Sequence, residues 1–182
     1  MSIGMKRGTV YLEPHQSEWE RAAEETIQTL KRILGSVAVD IQHIGSTSIR
    51  TISAKPIIDI AVAVNDYELI LSKCDELEKA DIVFRFDERP EQLLFVIGDF
   101  EKDTRSHHIH VVIYGSDEWN NYINFRDYLN SNTKAAKEYE AVKIRLAEQY
   151  PDDRIAYTDG KQEVIDRLLE KARVWKSKQF PL

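Results

Sequence analysis

The chain has 182 residues, 42% of them hydrophobic, with 25 basic and 31 acidic side chains and a formal net charge of −6. That apolar share suffices for one sizeable core and excludes a disordered chain, while the diffuse acidic balance speaks against a general nucleic-acid coat protein, which carries a basic footprint. The lone cysteine excludes an intramolecular disulfide and a cysteine-based zinc site, and apolar runs such as Ile60 to Val64 fall far short of the ~20 residues of a membrane span.

The opening Met1-Ser2-Ile3-Gly4-Met5-Lys6-Arg7 lacks the apolar stretch of a secretory signal, so the expectation is a soluble cytoplasmic protein. No stretch is rich in Pro, Gly or Ser and no period repeats, so residues 1–182 are read as one domain. Thr9 to Leu12 reads as a short strand. Ser17 with Glu20 has a capping-box pattern, opening a helix on which Trp19, Ala23, Thr26, Ile27, Leu30 and Leu34 recur at helical spacing. Gly35 can end it with a left-handed turn.

Val37 to Ile44 and Lys55 to Val64 read as strands, the second with Ile58, Ile60, Val62 and Val64 on one face. Asn65 with Glu68 predicts a helix to about Lys79. Strand-like runs follow at Asp81 to Phe86, Gln92 to Ile97 and His107 to Tyr114. Ser116, ahead of Asp117 and Glu118, opens a helix to about Asn130. A further helix spans about Lys134 to Gln149 and is stopped by Pro151. The last carries Val164, Ile165, Leu168, Leu169 and Ala172 on one side. The order implies an α/β (α+β) domain: a mixed sheet of about five or six strands, flanked by helices, with a helical C-terminal third.

Three segments carry chemistry. In His43-Ile44-Gly45-Ser46-Thr47-Ser48 a strand runs into a Gly-Ser turn, whose free N–H groups and hydroxyls can hold phosphate oxygens or simply make a tight bend. Asp59 interrupts an otherwise apolar strand and shares a face with Ile57, Ala61 and Ala63, whose small side chains leave room beside it. A buried carboxylate is costly unless it works or is paired, so Asp59 is a metal ligand or general base at a cleft floor, or else an ion-pair partner. In Arg105-Ser106-His107-His108-Ile109-His110, His108 and His110 project to one face of a strand. Such a pair can ligate a metal or contact a phosphate; the alternative is the polar side of an edge strand. If this strand neighbours that of Asp59, the three form a two-histidine, one-carboxylate metal set. The alternation is similar to that of histidine-triad nucleotide hydrolases, but the place of the third histidine holds Val112.

The basic candidates are Lys55, Arg50, Arg105, Arg126 and Lys161, each alone being read as a surface charge. Tyr157-Thr158-Asp159-Gly160-Lys161 is either a substrate-side loop or, preferably, a helix-capping turn. Trp119, Tyr122, Phe125, Tyr128 and Leu129 recur at helical spacing and are read as core.

Taken together, His43 to Ser48, Ala54-Lys55-Pro56-Ile57-Ile58-Asp59-Ile60 and His107-His108-Ile109-His110-Val111 resemble the GrpB family of bacterial proteins. Phe125-Arg126-Asp127-Tyr128-Leu129, Glu138-Tyr139, Lys143 and Tyr157-Thr158 to Lys161 extend the likeness, which runs from about Pro14 to Ala172. That family is grouped with the polymerase-β-like nucleotidyltransferases. The resemblance implies a Gly-Ser turn followed by a strand with two alternating acids and a third acid on a neighbouring strand, where two divalent ions hold nucleotide phosphates. Gly45-Ser46 and Asp59 match the turn and the first acid. Ala61 stands at the second, and the third falls to His108 or His110.

The resulting expectation is a nucleotidyltransferase-like enzyme acting on a nucleotide or phosphorylated small molecule with a divalent metal, Mg, Mn or Zn. Gly45, Ser46 and Thr47 would hold phosphate, Lys55 and Arg105 would balance its charge, and Asp59, His108 and His110 would bind the metal. The alternative, supported mainly by the missing acid at Ala61, is a non-catalytic module binding a nucleotide or coenzyme A derivative, the latter because some members of the family it resembles are fused to a dephospho-coenzyme A kinase domain. A third is a partner-binding protein that docks through its helical C-terminal region. Neither nucleic acid in general nor a membrane is expected as partner.

Overall fold

The computed structural model describes residues 3–85 and 91–179. Among these residues the strands are β1 (Met5–Lys6), β2 (Ala38–Ile44), β3 (Ile58–Val64), β4 (Val83–Arg85), β5 (Leu93–Ile97), β6 (Thr104–Arg105) and β7 (His107–Ile113). The helices are α1 (Ser17–Leu34), α2 (Tyr67–Leu71), α3 (Cys74–Glu78), α4 (Asp117–Ser131), α5 (Thr133–Gln149), α6 (Arg154–Gly160) and α7 (Gln162–Gln179). The main sheet has five strands in the order β2-β3-β7-β5-β4, and β1 pairs with β6 in a separate ribbon. Only the β3–β7 pairing is parallel; the other neighbours run antiparallel. This is the mixed α/β architecture that the patterning predicts.

Strand alternation divides the central strand β3 between two cores. Ile58, Ile60, Val62 and Val64 pack with Trp19, Ala23, Ile27, Leu30 and Leu34 of α1. On the other face Ala61 and Ala63 meet Ile44, Val112 and Trp119 of α4. Each fully buried Ile or Val stabilises by about 1.5–3 kcal/mol, so shifting β3 by one residue would forfeit several such terms at once. Behind α4, the helices α5 and α7 build a second layer around Leu129, Ala136, Tyr139 and Leu168.

The differences from the sequence expectations are local. Thr9–Leu12 forms no strand: Val10 is buried beside Leu146 and Tyr157, and its N–H donates to Pro151 O at 2.7 Å. Its apolar character therefore reflects packing under helices. Gln16, not Ser17, is the residue before α1, and Glu20 is drawn instead to Arg50 at 2.7 Å. Gly35 does close α1 at φ +52°. The helix expected to run to Lys79 is two short helices, capped by Asp66, which accepts from Glu68 N at 2.9 Å. The strand expected over Asp81 to Phe86 is trimmed to Val83–Arg85, and Phe86 lies outside the described residues. Ser116 caps α4 as anticipated, accepting from Trp119 N at 3.2 Å.

Candidate functional site

The parallel register sets Asp59 opposite His108 and Ala61 opposite His110. Residues at i and i+2 share a face, so both imidazoles rise on the Asp59 side of the sheet. Asp59 Oδ1 lies 3.4 Å from His108 Nδ1 and 3.3 Å from His110 Nε2. Burial works to raise the Asp59 carboxyl, but hydrogen bonds and positive charge from the two histidines outweigh it and hold it well below the usual carboxylate range. His108 is lowered, first by its own burial.

One donor atom from each of Asp59, His108 and His110 falls within 4.8 Å of the others. Ligands at ~2.1 Å from a common centre sit about 3–4 Å apart, so the set fits a single ion. Two imidazoles favour a transition-type ion over Mg²⁺.

The Gly-Ser turn forms the adjacent rim. Gly45, at φ +69°, passes so close to Asp59 that a Cβ there would overlap the carboxylate, which is why glycine is needed. Ser48 Oγ donates to Gly45 O at 2.6 Å and tightens the turn. Gly45, Ser46 and Lys55 line a cavity of about 250 Å³ floored by Asp59, His108 and His110. Thr47 does not line it: Thr47 is buried, with its hydroxyl 2.9 Å from His43 Nε2.

Arg105 is also placed elsewhere. It lines a wider groove of about 1300 Å³ together with Arg7 and Arg85, and its guanidinium lies 4.5 Å from the Phe100 ring centroid and 3.6 Å from Asp103. Cavity and groove share His108, Arg154 and Thr158, so they are continuous. Arg50 is exposed and paired with Glu20; Arg126 is held by Gln42, His43 O and Asp127, away from the cavity.

The opposite wall comes from α6, read from sequence as a capping turn. Arg154, Tyr157 and Thr158 of α6 and Lys161, the residue that follows it, at i, i+3, i+4 and i+7, all face the cavity. That spacing was a usable signal, obscured by the turn-like Asp152-Asp153 and Asp159-Gly160. Asp153 in fact caps α6, accepting from Ala156 N at 3.0 Å. Nothing in the local sequence singles out Arg154, and Lys161 alone reads as a surface charge.

Lys55 and Lys161 stand 5.1 Å and 4.5 Å from the Tyr157 ring centroid, with no ion pair among the described residues. Burial lowers Lys55 to about 7, with repulsion from Arg154 and Lys161 adding to it, and burial lowers Lys161 to about 8. With Arg154, three cationic side chains thus face a single carboxylate, an arrangement that draws in anions. The Lys55 loop is anchored from α5: Glu140 accepts from Ser53 N, and buried Lys143 donates to Ser53 O.

Comparison with known proteins agrees with this architecture. The family model described as GrpB protein matches residues 9–171. The glutamate-rich protein GrpB of Alkalihalophilus pseudofirmus is 38% identical over 172 residues, 93% of this chain and 99% of that one. The crystal structure of the conserved protein GrpB from Enterococcus faecalis has a TM-score of 0.79 at 28% identity, covering 88% of this chain and 98% of that one. The Cid1 poly(U) polymerase with MgGTP bound has a TM-score of 0.52 at 18% identity, over 75% of this chain and only 44% of the polymerase, a likeness of fold alone. The fold is thus similar to that of the Cid1 poly(U) polymerase, and the chain belongs to the GrpB family.

Proposed function

We propose that this protein is a nucleotidyltransferase-like enzyme acting on a nucleotide or other phosphorylated small molecule, with one divalent metal ion at Asp59, His108 and His110. The observation that carries this reading is the convergence of Lys55, Arg154 and Lys161 on the cavity floored by those three residues. A phosphate chain supplies the anionic partner that these cations lack. Gly45 and Ser46 bind a phosphate oxygen at the rim, and Lys55, Lys161 and Arg154 offset its charge. A bound ion would polarise a phosphoryl oxygen there. The donor set favours Mn²⁺ or Zn²⁺ over Mg²⁺. Arg105 meets the outer part of the substrate in the groove, and Thr47 supports the turn through His43. The lone cysteine suits a reducing cytoplasm. Among the described residues no helix is long and apolar enough to cross a membrane.

The test is a scan of nucleoside triphosphates with Mn²⁺, Zn²⁺ and Mg²⁺ for transfer or hydrolysis, comparing Asp59→Asn. Loss of turnover in the variant supports the assignment; turnover unchanged by it rejects the metal role.

A second reading, a module that binds nucleotide without turnover, is favoured by Ala61. It is fully buried at the register partner of His110 and offers no second carboxylate. Nucleotide-induced stabilisation of about 2.7 kcal/mol at 100 times the Kd, without product in any metal, selects this reading.

A further inference from the structure

The hydrogen bonds around Asp59 are not symmetric. A carboxylate only accepts, so His108 Nδ1 and His110 Nε2, both facing Asp59 Oδ1, carry the hydrogens in this arrangement. The other nitrogen of each ring is then an acceptor. For His110 it is Nδ1, 3.5 Å from the Tyr122 hydroxyl, which itself lies 2.8 Å from Gln92 Oε1. That hydroxyl donates to Gln92 Oε1, so its oxygen is left to accept from His110 once the hydrogen sits on Nδ1, the tautomer that bares Nε2 for a metal. For His108 it is Nε2, 3.5 Å from Arg154 Nη2. A guanidinium has donors only.

A metal on His108 Nδ1 needs that nitrogen bare and the hydrogen on Nε2, where it would meet the Arg154 donor. His110 can therefore turn to a metal without disturbing its neighbours, and His108 cannot while Arg154 stays in place. Arg154 forms no ion pair among the described residues and stands where the cavity opens into the groove.

We propose that Arg154 couples oxyanion binding to metal binding at this site: it holds His108 in the tautomer that cannot ligate, and a phosphate-type oxyanion that draws the guanidinium away frees Nδ1 for the metal. The Nε2 hydrogen then donates to the same oxyanion. The proton moves from one ring nitrogen to the other through solvent, with no net uptake or loss. The coupling rests on the reading of Asp59, His108 and His110 as a metal set. It narrows the substrate class to ligands that present a tetrahedral oxyanion to Arg154 beside the ion. It is also reciprocal: the metal tightens the oxyanion by the same factor.

The test uses the full chain stripped of metal. ¹⁵N NMR of the imidazoles reads the His108 tautomer, and calorimetry reads Mn²⁺ affinity in saturating sulfate or in chloride at matched ionic strength. Sulfate serves as a tetrahedral oxyanion that chelates Mn²⁺ poorly. His108 is expected to be protonated on Nδ1, and sulfate to tighten Mn²⁺ about fivefold or more. Arg154→Met is expected to bind Mn²⁺ more tightly in chloride and lose the sulfate effect, while Asp59 still keeps the hydrogen on Nδ1 in the metal-free variant. Arg50→Met removes an exposed cation that is paired with Glu20 and lies outside the cavity, and it should keep the Nδ1–H tautomer and the sulfate effect. Nε2–H in the unsubstituted protein, or identical behaviour of the two variants, overturns the coupling. Mn²⁺ binding indifferent to sulfate overturns it too, yet leaves the metal reading standing. No Mn²⁺ binding under either condition removes both.

Discussion

Gly45 and Asp59 are in such close approach that the backbone of the turn is shaped around the carboxylate. A methyl group at position 45 must displace Asp59 and must also adopt a positive φ. Gly45→Ala is therefore expected to cost about 1–3 kcal/mol in urea unfolding and to weaken Mn²⁺ or Zn²⁺ binding. Gly115→Ala isolates the backbone term, since φ there is +75° with nothing within 4 Å of the added Cβ. Equal losses in the two variants would show that the carboxylate contact is immaterial.

Removal of a metal ligand has a larger effect than removal of a group behind it, which commonly costs 10–100-fold in affinity. In saturating sulfate, His108→Ala, His110→Ala and Asp59→Asn should each weaken Mn²⁺ binding by at least ~100-fold in calorimetry, with the far-ultraviolet circular dichroism retained. An affinity within a few-fold of the unsubstituted protein would take that residue out of the set.

Lys143 links the fold to pH. It is only 1% exposed, and burial, aided by Lys161, lowers its ammonium to about 7. The folded value lies below the unfolded one, so between about pH 7 and 10 the unfolded chain binds more protons and stability rises with pH. Lys55 and Lys161 act with the same sign. Above about pH 10 the sign reverses, because burial pushes Tyr139 up to about 12 and the tyrosines of the unfolded chain ionise first. Lys143→Met should flatten the rise by up to about 1 kcal/mol per pH unit in urea titrations at pH 7, 8 and 9. Parallel slopes for the two proteins would refute the buried-lysine account.

The cavity cations set nucleotide affinity if phosphate lies among them. Lys55→Met and Lys161→Met should each weaken nucleoside triphosphate binding by about tenfold or more, the effect of one lost charge-assisted hydrogen bond, and should reduce its salt dependence. Arg50→Met is the matched control, since Arg50 is exposed and bound to Glu20. A triphosphate that binds all three variants alike does not sit in this cavity.

Much of the fold is legible locally. The helices α1, α4 and α5 each bury one face against a core, and β3 and β7 are buried on both, so their apolar residues recur densely and their places are readable. The segments that mislead are those where another force replaces that period. Val10 is buried by helices while its N–H bonds to Pro151, and the helix after β3 breaks into two short turns at Ser72–Lys73. The third is α6, which turns its polar side inward to the cavity, so the stripe of Arg154, Tyr157, Thr158 and Lys161 looks like a solvated turn.

By itself the sequence determined what alternation determines: that Asp59 stands out on the small-residue face of an apolar strand, that His108 and His110 share a face, and that a glycine turn precedes them. Tertiary structure alone decided that β3 and β7 pair in parallel and in register, which brings together residues about fifty positions apart. It also decided that Arg154 and Lys161 close the cavity while Thr47 and Arg105 face elsewhere. The reason is physical: side-chain direction along one element follows from backbone geometry, whereas register and the docking of helices follow from burying two cores at once, a sum over the whole chain.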